Sequence, residues 1–198
     1  MPPSRRLLRH SRWVVWPVAF VVAGLVVAQG SYSAFSAKVS NAGNSFSVGT
    51  VALNDDDAGS ALFSLTNLRP GSSGTQCITV TSTGTLPSTV KLYTSGASTT
   101  KALASYVNLT ITQGSGGSYG SCSGFVAQSS GSSLYAGTLA ALTGSATGFA
   151  TGLGSWAPTG TGSESRTFQF GYVISSGTPD SAQGGTASVG FTWEAQNS

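Results

Sequence analysis

Beyond residue 70, apolar side chains recur at every second position in several stretches. In "YVNLTIT" (106–112) Val107, Leu109 and Ile111 alternate with polar neighbours. Phe168, Phe170, Tyr172 and Ile174 do the same in "RTFQFGYVI", and Val189, Phe191 and Trp193 in "ASVGFTWE". Ile78 with Val80, and Val90 with Leu92, extend the pattern. A period of two predicts strands with one apolar face, and the polar second face predicts antiparallel sheets. Each apolar side chain contributes roughly 1.5–3 kcal/mol when fully buried, so three strong strands and several weaker ones suffice for a modest β-sandwich.

Upstream, "NSFSVGTVAL" (44–53) changes phase. Phe46 and Val48 share one parity, Val51 and Leu53 the other, which predicts a bulge at Gly49-Thr50. The segments "NDDDAGS", "RPGSSG", "STGTLPS" and "QGSGGSYGSCSG" carry turn chemistry. Helix is scarce: "TTKALASY" and "GTLAALTG" have room for a turn or two each. Gly 27 and Pro 7 make 34 of 198 residues, about one in six, below the roughly 25–30% of low-complexity chains. The fold class expected is all-β.

The N-terminus has a different pattern. Residues 1–12 are basic, with Arg5, Arg6, Arg9 and Arg12, and "WVVWPVAFVVAGLVVA" (13–28) is unbroken apolar sequence. That run is shorter than the roughly 20 residues of a membrane span. Basic n-region, apolar h-region and following small residues predict a signal peptide over 1–33. Two alternatives stay open: a twin-arginine signal carried by "SRRLLR" (4–9), and an uncleaved anchor. Ser31 and Ser33 put small residues at −3 and −1 of a cleavage site between Ser33 and Ala34; a competing site follows Ala28. Residues 34–198 then form a single domain with an extended N-terminal segment over 34–44, secreted or held at the cell surface.

Locating the charges changes the meaning of the net +3 and pI near 9.1. The body keeps Lys38, Arg69, Lys91, Lys101 and Arg166 against Asp55, Asp56, Asp57, Glu164, Asp180 and Glu194, a net of −1. No basic footprint for nucleic acid remains, and contact with membrane is expected only through the signal segment. Cys77 and Cys122 both lie in the body, and an even count in an exported chain favours a disulfide over two separate buried thiols.

Catalytic groups are sparse. The one histidine, His10, lies in the signal segment, and "HExxH" is absent, so the body has no imidazole for a zinc peptidase or a nucleophile–histidine pair. No cofactor is expected. Asp55, Asp56 and Asp57 are a calcium candidate through oxygen ligands. A solvated hairpin tip is the preferred reading, because no regular ligand loop surrounds them. "NLT" at Asn108 matches a glycosylation acceptor but sits inside an expected strand. Trp156 and Trp193 suit a sugar-stacking face or, by preference, the core.

Two stretches carry a resemblance. "SAFSAKVSNAGNSFSVGTVAL" followed by "ALFSLTNLRPG" resembles the start of mature proteins of the TasA/camelysin family. The matching positions are Ala34 and Phe35, Phe46, Gly49-Thr50, Leu53, then Asn67-Leu68, Arg69 and Pro70-Gly71. "DSAQGGTASVGFTWEAQ" (180–196) resembles the closing strand of actinobacterial relatives. The resemblance implies a jelly-roll-like sandwich, processing by a SipW-type signal peptidase, and a biofilm-matrix fibre subunit that self-associates by donating an N-terminal strand. Residues 34–44 are then the donor, with Ala34, Phe35 and Val39 among its residues, Phe35 and Val39 as apolar anchors and Asn41, Gly43 and Asn44 as a joint. An exposed sheet edge is a template for such pairing. A non-polymerising surface adhesion module is the alternative. A camelysin-type metallo-endopeptidase is the second alternative, from which a body without histidine departs.

Overall fold

The period-two stretches fold as strands of two antiparallel sheets. The computed structural model describes residues 36–40, 44–45, 51–63 and 68–197. The signal segment, the Ser33–Ala34 junction, Phe35 and the bulge expected at Gly49-Thr50 lie outside the described residues.

In chain order the strands are β1 (Ser36–Ser40), β2 (Asn44–Ser45), β3 (Leu53–Asp55), β4 (Ser73–Ser82), β5 (Ser88–Thr99), β6 (Val107–Ser115), β7 (Val126–Ala127) and β8 (Ser133–Thr138). Helix α1 (Leu139–Ser145), β9 (Leu153–Trp156), β10 (Glu164–Ile174) and β11 (Ala187–Asn197) complete the order. The first sheet runs β2-β1-β11-β5-β9 and the second β3-β4-β10-β6-β7, with β8 also on β6. The chain passes between sheets from β2 to β3, β4 to β5, β5 to β6, β8 to β9, β9 to β10 and β10 to β11. The fold is therefore a jelly-roll-like β-sandwich.

The inward parity of each strand builds the core. Phe191, Trp193 and Ala195 of β11 and Val90 and Leu92 of β5 are buried in the first sheet. Ile78 and Val80, Leu109 and Ile111, and Phe168 and Phe170 are buried in the second. Rings close the space between β10 and β11: Phe170–Phe191 centroids lie 4.6 Å apart and Phe168–Trp193 5.3 Å. Helix α1 is capped by the Thr138 hydroxyl, which accepts the Ala141 N–H at 3.2 Å. It adds Leu139 and Leu142 to the same core. Directly after it, the Ala146 carbonyl accepts both the backbone N–H and the hydroxyl of Thr94.

Strands β8 and β9 escape the alternation rule. "SLYAGT" and "LGSW" carry glycine and small residues in place of a repeating apolar parity, and cross-strand pairing to β6 and β5 defines them instead. "TTKALASY" yields one 3-10 turn, Leu103–Ser105.

Candidate functional site

Strand β1 is where the donor expectation meets the fold. It pairs antiparallel with β11 of its own chain over five positions, from Ser36↔Gln196 to Ser40↔Thr192. Lys38 stands in register with Glu194. Val39 pairs with Trp193. Asn44, expected in a joint, belongs instead to β2, which pairs back on β1 through Ser40↔Asn44 and Val39↔Ser45.

Glu194 is 4% exposed and is held from two sides. The Tyr93 hydroxyl donates to its Oε2 at 2.8 Å, and the Gln196 side-chain amide donates to Oε1 at 3.0 Å. The sequence hides this arrangement because Tyr93 and Glu194 are 101 residues apart. Lys91 of β5 also stands in register with Glu194, opposite Lys38. In the backbone register Glu194 therefore lies between Lys38 of β1 and Lys91 of β5.

The aspartate run divides by parity. Val51, Leu53 and Asp57 are buried and Asp55 is half-buried, on the side of β3 that faces inward. Asp56 points the other way. The register Asp55↔Val80 brings Asp56 opposite Thr79, and its Oδ1 accepts the Thr79 N–H at 2.8 Å. Its Oδ2 accepts the Tyr119 N–H at 2.7 Å, while the Tyr119 hydroxyl donates to the Ala61 carbonyl. Asp56 therefore fastens the loop that carries Cys122. Asp56 is thus turned away from Asp55 and Asp57, and among the described residues no three His, Cys, Asp or Glu side chains stand together as a metal set.

Asp55 and Asp57 face each other within hydrogen-bond reach. Burial, then the charge of Asp57, raises the Asp55 pKa from 3.8 to about 6. A carboxyl whose folded pKa lies above its unfolded value binds more protons when folded. Its contribution is complete below about pH 4 and is lost as pH rises through about 6. Asp55→Asn removes the ionisation. In metal-free buffer the variant's stability relative to wild type is expected to be higher at pH 7 than at pH 4.5, read from urea midpoints. An equal difference at both pH values would contradict the raised pKa.

Cys77 and Cys122 are disulfide-bonded, with Cα atoms 5.2 Å apart. The bond suits an oxidising compartment. No helix among the described residues is long and apolar enough to cross a membrane. Compared with protein-family models and with curated proteins, the chain matches none.

The tryptophans belong to the core. Trp193 is fully buried and Trp156 is 6% exposed, with the Arg166 guanidinium 5.7 Å from the Trp156 ring centre. Neither ring is open for a sugar. Asn108 is exposed but lies in a strand paired on both sides, with Val173 and with Thr138. Arg166 and Glu164 line an open polar groove of about 360 Å³. The Thr159 hydroxyl and N–H hold the Glu164 carboxyl below its usual range by hydrogen bonding.

Proposed function

We propose that this chain is an exported structural protein of the TasA/camelysin type, a matrix or surface fibre subunit whose copies join by exchanging β1. One observation supports the reading above others: among the described residues β1 lies near the edge of its sheet, beside the two-residue β2, and is held by a five-position ladder to β11. The same hydrogen bonds and the same Lys38↔Glu194 register are available between two chains, since strand exchange preserves every pairing. The disulfide fits extracellular life, where a small domain needs covalent reinforcement.

The second reading, a non-polymerising surface module, is favoured by β1 completing its own sheet. Deletion separates the two. Removing Ala34–Ala42 from the chain that starts at Ala34 is expected to leave a folded monomer with an open β11 edge. That monomer binds a peptide of residues 34–44, and electron micrographs of it show no fibres. Unfolding on deletion would make β1 an ordinary strand of its own sandwich. A full-length chain that stays monomeric at high concentration would favour the surface module.

A further inference from the structure

We infer that Asp55 and Asp57 form a binding site for a hard divalent cation, calcium by preference, at the turn that closes β3. Position supplies the first reason. The inward parity that buries Val51 and Leu53 continues to Asp57, so a carboxylate occupies a place the pattern gives to apolar groups. Asp57 is 2% exposed. Its Oδ1 accepts the Gly59 N–H at 2.7 Å, but its Oδ2 is buried and, among the described residues, finds no donor; the Asp57 side chain faces only the Asp55 carboxyl, itself an acceptor when ionised.

Charge supplies the second. The group facing Asp57 is another carboxyl, and the charges acting on Asp55 are those of Asp57 and Asp56, with no basic side chain among them. Two like charges at a buried corner with an orphaned acceptor call for a positive partner. A cation between the carboxylates supplies it. Asp55 is only half-buried, so solvent reaches the site on that side.

The donor set selects the metal. All available ligands are oxygens, and neither cysteine is a free thiol. Hard oxygen donors with water suit calcium, whereas soft metals prefer nitrogen or sulfur. Asp56 takes no part, because both its oxygens hold backbone amides. Two carboxylates without a full ligand loop place the affinity in the range of extracellular modules, a Kd of roughly 0.1–1 mM.

Calorimetric titration of EDTA-stripped protein with calcium chloride tests this, together with thermal unfolding in calcium, magnesium or EDTA. Saturable binding in that range is expected, with Tm raised by a few degrees in about 10 mM calcium and less in magnesium. Asp57→Asn keeps an oxygen for the Gly59 N–H and gives Asp55 a donor, so it is expected to fold and to lose the calcium response. Asp55→Asn, altered at the half-exposed member, carries the test if Asp57→Asn fails to fold. Absence of heat and of any Tm rise, or an equal calcium response in wild type and both variants, would overturn the site. Stabilisation by acid alone with calcium inert would assign the pair to a shared proton and overturn it equally.

Discussion

Trp193→Ala is expected to lower the unfolding free energy by about 4 kcal/mol, a large share of the roughly 5–15 kcal/mol that holds a domain together. Trp193 is fully buried at the centre of β11, against Phe168 and Phe170 of the opposite sheet. Truncation removes the largest buried side chain and leaves a cavity that two stiff sheets cannot close. Trp193→Phe is expected to cost much less. Among the described residues the indole Nε1 has no hydrogen-bond partner, so the smaller ring gives up volume and no polar contact with them. Guanidinium unfolding of both variants measures the difference. A loss below about 1 kcal/mol for the alanine variant would mean that the two sheets do not share one core.

Removing the disulfide is the second large effect. Cys77 and Cys122 are 45 residues apart, and opening a loop of that size costs about 4 kcal/mol on the chain-entropy model. Native-state contacts moderate nothing in that estimate, because the stabilisation arises in the unfolded chain. They decide what the reduced protein looks like. The Asp56–Tyr119 bond and the Tyr119 hydroxyl on Ala61 still hold the loop on the segment after β3, which Asp56 ties to Thr79 of β4, and the paired backbone of Ser118 and Ser121 closes the loop on itself. Cys77→Ala/Cys122→Ala is therefore expected to fold to the same structure with a lower denaturant midpoint and an unchanged or steeper transition. An unchanged midpoint would contradict the chain-entropy estimate.

The fold was legible wherever one side-chain parity decides burial. β6, β10 and β11 show it plainly, since large apolar groups fall on one face and polar ones on the other. β8 and β9 were not legible, because their partners define them and their own side chains do not. At the corner of β3 the sequence showed three equal carboxylates. Only the register against β4 separates Asp56, which replaces a backbone acceptor, from Asp55 and Asp57, which turn inward. The cysteine pairing was readable from count and compartment. The Tyr93–Glu194 contact was not, because no local pattern links positions so far apart.

The strand order also governs when the domain can fold. β11, the last described strand, lies between β1 and β5 in the first sheet. Until residues 187–197 arrive, β1 and β5 have no partner in common and the aromatic cluster lacks Phe191 and Trp193. A chain emerging from its N-terminus thus carries an unfinished first sheet with open edges until its last strand is made. Pairings between such distant segments are slow to close, and exposed edges invite wrong ones meanwhile. Completion of the first sheet is accordingly expected to wait for its closing strand, whereas the second sheet holds only strands that precede it.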